Sequence, residues 1–179
     1  MTWRRRIPII VIALVAAAQI ALAAAGASTA AAASCPHQND AGAGATGHER
    51  AMLCLVNRAR SARGLPAFAA PASLARAAGR KSGDILRCDE FSHEACGREF
   101  TYWIERFGYS FCSAGENIAY GGGSSATPRS IFSLWMHSSG HRRNILGAYE
   151  DIGIGLQVGA LEGRGGAHVW TQEFASRNC

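Results

Sequence analysis

Residues 151–174 read DIGIGLQVGALEGRGGAHVWTQEF, and their periodicity decides the fold class. Ile152, Ile154, Leu156 and Val158 alternate with Gly153, Gly155 and Gln157, the period of two that turns one face of a strand toward a core. The segment GALEGRGG offers a turn, and Ala167 to Phe174, rich in Val, Trp, Thr and Phe, returns as a second strand. The regular segments upstream of it have a helical period. Helices first and an antiparallel hairpin last argue for an α+β layered domain rather than a βαβ sheet.

Working back from the hairpin, Thr127-Pro128 supplies an N-cap and an N1 proline for a helix carrying Ile131, Leu134 and Trp135, expected to finish at Gly140. Before it, GENIAYGGGSS reads as a loop, with Gly121, Gly122 and Gly123 at its flexible end. Phe100, Trp103, Ile104 and Phe107 keep helical spacing and stop at Gly108. A helix from about Ala72 to Leu86 points Leu74, Ala78 and Ile85 inward and Arg76, Arg80 and Lys81 outward. The first helix opens on Thr46-Gly47-His48-Glu49, a capping box, and buries Met52, Leu55, Val56 and Ala59, with Leu53 and Cys54 widening the stripe. Gly64 and Leu65-Pro66 end it.

The N-terminal third differs in kind. Arg4, Arg5 and Arg6 precede an apolar run from Ile7 to about Ala25, and Ala31 and Ala33 offer an Ala-x-Ala site. Residues 1–33 therefore read as a secretion signal, removed rather than left as a stable membrane span. Residues 34–47 are small, polar and aperiodic, a flexible linker, and residues 48–179 form the folded domain. The 179 residues, 17% of them charged, leave room for one such domain. The formal charge of +5 is inflated by the leader, whose three arginines and lack of acids bring it to +2 once removed. Arginines scattered among acids make no basic stripe, so no nucleic-acid partner is expected.

Six cysteines follow the leader: Cys35, Cys54, Cys88, Cys96, Cys112 and Cys179. An even number in an exported chain reads as disulfides, and the absence of close Cys pairs argues against a thiolate metal site. Ala32-Ala33-Ser34-Cys35 faintly resembles a lipoprotein processing site, but it lacks the usual Leu and would break the pairing parity. The expected localisation is secreted and extracellular.

Two imidazoles and a carboxylate stand out: His93 in FSH, Glu116 in GENIA and His141 in SSGHRRNIL. These residue types suit zinc or a similar divalent cation with an open position. Spacing alone does not bring them together. His137 and His141 are four apart, but Ser138 stands where a zinc protease needs Glu, and Gly140 is expected to break the helix between them. No G-x-S-x-G elbow supports a serine hydrolase, and the three glycines lack the Lys of a phosphate loop.

The order Asn57-Arg58-Ala59-Arg60, Phe91-Ser92-His93, Gly115-Glu116-Asn117-Ile118-Ala119, Trp135 with Ser138, Gly140-His141-Arg142, Ile152-Gly153-Ile154-Gly155 and Trp170-Thr171-Gln172 resembles a bacterial CAP domain. That superfamily groups cysteine-rich secretory, antigen 5 and pathogenesis-related 1 proteins. The resemblance covers about His48 to Cys179. It implies a three-layer α-β-α sandwich with a central, mainly antiparallel sheet and a cleft formed by His93, Glu116, His141, Asn117 and Ser138. The match is partial. Ser138 stands where many eukaryotic members carry a second Glu, and Val169 where the second His precedes the aromatic-Thr-Gln sequence. His141 then stands in as the second imidazole, and a His93, Glu116, His141 set implies only weak cation binding. Cys88 and Cys96 flank His93 and either could anchor its loop, while Cys54 or Cys112 is placed to pair with Cys179.

The function this implies is a secreted binding module with a cation-capable His/Glu cleft for a small lipid, peptide or glycan ligand, in defence or interaction with a host or environment. The alternative is a metal-dependent hydrolase acting on peptides or cell-wall material, with Glu116 as general base. The sequence shows no independent nucleophile, so enzymatic activity is the lesser expectation.

Overall fold

The computed structural model describes residues 34–178; the expected signal of residues 1–33 and the terminal Cys179 lie outside them. The elements run α1 (Ala45–Ser61), α2 (Ala72–Cys88), α3 (Tyr102–Arg106), β1 (Ser113–Gly121), α4 (Pro128–His137), α5 (Ser139–Ile145), β2 (Asp151–Leu161) and β3 (Arg164–Ser176). β3 is central, paired antiparallel to β1 on one side and β2 on the other. The hairpin turn expected after Gly159 closes tightly at Glu162 and Gly163, both with positive φ, between paired Leu161 and Arg164.

Alternation along the strands builds the layers. Trp170 and Phe174 of β3, with Ile152, Ile154 and Leu156 of β2, pack against Met52 and Val56 of α1, Ile131 and Trp135 of α4, and Ile145 of α5. Val169 and Ala175 face the other way, toward Ile85, Leu74 and Ala77 of α2 and Ile104 of α3. The result is the α+β sandwich, helices on both faces of an antiparallel sheet.

The sequence pattern treats Gly153 and Gly155 as the open face of a half-buried strand. Both are buried. A Cβ on Gly153 would lie 2.1 Å from the Leu74 carbonyl oxygen, and one on Gly155 would lie 2.2 Å from the Gly79 nitrogen. The glycines thus let the backbone of α2 rest directly on β2. The Ser82 hydroxyl adds links to Thr171 Oγ1 at 2.9 Å and to the Gly155 carbonyl.

Several local expectations change. The capping box does not form: α1 starts at Ala45, no side chain caps it, and Glu49 accepts from the Leu156 amide of β2 instead. A tertiary partner wins over the local one. Lys81 is buried, not outward, and its ammonium donates to the His93 carbonyl. Leu134 and Val158, expected inside, are 55% and 54% exposed. GENIAYG is strand β1 rather than loop, its alternation disguised by polar residues that are themselves buried. α4 has the expected Thr127 cap but ends at His137, and Ser138 turns the chain into a further helix, α5, that carries Gly140 and His141. Trp135 and Trp170 fill the interior.

Residues 34–47 are not a loose arm. Cys35 is buried and bridged to Cys54, the Arg129 amide donates to the Gln38 carbonyl, and the buried ring of His48 meets the Asp40 carbonyl at 2.5 Å. The bridge corrects the pairing of Cys54 with Cys179 and engages the Cys35 sulfur that acylation would require. Cys88 pairs with Cys96, and Cys112 is also disulfide-bonded. Among the described residues, no helix is long and apolar enough to cross a membrane.

Candidate functional site

β1 is an edge strand, and the cleft forms where two segments reach its outer side. From one side comes the loop after α2, bearing His93 and pinned by the Cys88–Cys96 bridge and the Lys81 ammonium. From the other comes α5, bearing His141. Gly115 permits this approach: a Cβ there would lie 2.5 Å from the Tyr149 hydroxyl and 3.4 Å from Asn144 Oδ1.

The cleft has a volume of about 300 Å³ and is lined by His93, Glu116, Asn117, Ser138, Gly140, His141, Arg143 and Asn144. All five residues singled out as a cleft set are among them. His93 Nδ1 lies 2.6 Å from Glu116 Oε1. The Glu116 side chain is 2% exposed and that of His93 54%, so a buried carboxylate orients a ring whose other nitrogen stays accessible. His141 is half-buried, with Nδ1 buried and without a partner. Burial, and then the charge on His93, hold its pKa below the ordinary imidazole value.

Behind the cleft is a polar layer that joins two of the quoted motifs, through Asn117 and Gln172. Asn117, fully buried, donates to the His141 carbonyl and to Gln172 Oε1, and its oxygen accepts from Asn144, which also donates to the Glu116 carbonyl. Opposite Glu116 in the β1–β3 register stands Glu173, fully buried. Burial, and then the neighbouring Glu116, raise its pKa well above 4.5, with Lys81 opposing. No other donor reaches Glu173 or Glu116 Oε2, so a proton kept on Glu173 and directed at Glu116 satisfies both. The sequence reading places Lys81 outward and passes over Glu173. Only Glu173 left a signal, as an acid on a strand between Thr171 and Phe174.

Among the described residues, no group of three or more His, Cys, Asp or Glu is arranged to hold a metal ion. His93 spends Nδ1 on Glu116, and the second oxygen of Glu116 is buried. Glu116 thus occupies the position of a carboxylate that orients a histidine ring.

The chain is 32% identical to the uncharacterized protein YkwD of Bacillus subtilis over 141 residues, and spans about half its length (76% of this chain, 50% of the relative). A solved extracellular protein of Bacillus anthracis containing an SCP domain superposes with a TM-score of 0.60 at 26% identity, covering 74% of this chain and 41% of that one. Two others share the fold: an outer surface protein of Borrelia burgdorferi (TM-score 0.61, 16% identity, 71% and 90% covered) and a cysteine-rich secretory protein of Staphylococcus aureus (TM-score 0.57, 18% identity, 74% and 39% covered). Residues 53–174 match the model of the CAP, cysteine-rich secretory protein family, and span every helix and strand that builds the cleft. The chain belongs to that family.

Proposed function

We propose that this CAP domain is a secreted binding module whose cleft at the edge of β1 takes a small polar ligand, a peptide or a glycan, rather than a lipid. The observation that carries this reading is the lining itself. The walls are imidazole, carboxylate, amide, hydroxyl, guanidinium and glycine, without an aliphatic or aromatic hydrocarbon side chain. Apolar ligands draw their affinity from apolar walls, whereas spaced donors and acceptors select hydroxyl and amide groups. The likeness to an extracellular SCP-domain protein and the disulfides support export.

The test is binding of the oxidised protein to an array of peptides and glycans, repeated with His93→Ala, Arg143→Ala and, as a control outside the cleft, Arg63→Gln. Binding is expected to fall in the first two and persist in the third. Equal binding by all four proteins, or capture of lipid alone, overturns the reading.

Hydrolysis of peptides or cell-wall material is the second reading, and one observation favours it: Glu116 Oε1 holds Nδ1 of His93 at 2.6 Å, and the ring lines the cleft. In that case His93, and not the buried Glu116, takes the proton, and turnover is insensitive to chelators.

A further inference from the structure

We propose that a second groove, between α2 and the segment following α3, binds a phosphate group between Arg76 and Arg80. The groove has a volume of about 400 Å³ and is lined by Arg76, Gly79, Arg80, Gly83, Phe107 and Gln157. It involves none of the residues of the β1-edge cleft.

The charge is uncompensated. Arg76 and Arg80 are exposed, no acidic residue lines the groove, and among the described residues neither arginine is in a salt bridge. Arg87 on the same helix shows the contrast, since it is held by Asp84, which also accepts from Arg98 and Trp103. Residues four apart on a helix have their backbone positions about 6 Å apart along its axis, so Arg76 and Arg80 start from neighbouring turns of one face. One tetrahedral oxyanion placed between them receives donors from both forks, and its second negative charge matches the second cation better than a carboxylate does.

The shape also fits an occupant. Open space surrounds the positions a Cβ would take on Gly79 and Gly83, so the floor between the arginines is bare helix. Arg76 lies 5.1 Å over the Phe107 ring, which orients the guanidinium and leaves an aromatic wall for whatever carries the phosphate. The Gln157 amide supplies a further donor on the opposite wall.

The experiment is a titration of the oxidised, isotope-labelled protein followed by amide and arginine side-chain NMR, with inorganic phosphate and with glycerol phosphate. A parallel arm measures co-sedimentation with phosphatidylglycerol or phosphatidylcholine vesicles. Three variants accompany the wild type: Arg76→Gln with Arg80→Gln, Gly83→Leu, and Arg63→Gln as a distant control. The expected result is shifts centred on residues 76–83, Phe107 and Gln157, with affinity at least about tenfold weaker in the double variant and unchanged in the control. Gly83→Leu keeps both charges, favours the helix and fills the groove, so it is expected to abolish binding as well. Response to soluble phosphates alone assigns a free phosphate compound, and response to the anionic vesicles assigns a lipid headgroup. The proposal fails if neither probe produces localised shifts, or if Gly83→Leu binds like wild type, which marks diffuse surface attraction.

Discussion

Glu116 and Glu173 stand directly opposite one another across β1 and β3, two buried carboxyl groups sharing one site beneath His93. Glu173 keeps its proton in the fold to a pH well above its ordinary 4.5, through burial first and then Glu116. Between 4.5 and the raised value the folded chain binds more protons than the unfolded one. Stability contributed at this position is therefore present below 4.5 and lost as pH rises toward the folded value. Glu173→Gln keeps a donor for Glu116 and removes the titration. It is expected to unfold at higher urea than wild type at pH 8, with the gap closing as pH falls toward 4.5. A gap of the opposite sign, or one that does not vary with pH, contradicts the shared-proton arrangement.

Zinc titration separates a ligand from a residue that stands behind one. Calorimetry on the wild type is expected to show weak uptake at most. Any heat present should vanish in His93→Ala and survive in Glu116→Gln, weakened by about tenfold, because Glu116 acts on the ring and not on the ion. Loss of uptake to the same extent in both variants would restore Glu116 as a direct ligand.

Gly153→Ala and Gly155→Ala test the contact between α2 and β2. Each new methyl group would meet the backbone of α2 well inside van der Waals distance, at 2.1 Å and 2.2 Å. A helix backbone held along its length has no small local escape, so each is expected to cost about 3 kcal/mol or more in urea unfolding. Gly83→Ala, with open space around the new atom, is expected to stabilise α2, giving an internal control.

Replacing Cys88 and Cys96 together by Ser removes the bridge around the His93 loop. A loop closed over a sequence separation of 8 loses about 2.5 kcal/mol by chain entropy. Hydrogen exchange should quicken over residues 89–97 and at the Glu116–His93 contact, while α1 and its Cys35–Cys54 bridge stay protected. Uniform acceleration through the domain would mean that the bridge holds the whole fold and not the cleft.

Legibility in the sequence followed whether a residue's role was local. The hairpin, the Thr127 cap and Gly108 could be read because period and turn chemistry act over a few residues. Thr46–Glu49 misled for the complementary reason, since Glu49 finds the Leu156 amide 107 residues away. β1 was hidden because Glu116 and Asn117 are polar yet buried, each satisfied by groups on other elements. His93, Glu116 and His141 were chosen by chemistry and order, and they do line one cleft. Their division of labour, with Glu116 behind His93, and the participation of Glu173 and Lys81 depend on strand register and helix facing that no motif records.

The Asn117 network has a consequence for assembly of the sheet. β1 must find β3 across more than forty intervening residues, a slow pairing in which neighbouring registers compete. A slip by one residue would turn Asn117 away from Gln172, Asn144 and the His141 carbonyl and strand their polar groups in the dry interior. The same amide that lies beneath the cleft thus holds the register, since a misaligned sheet forfeits its bonds to both β3 and α5.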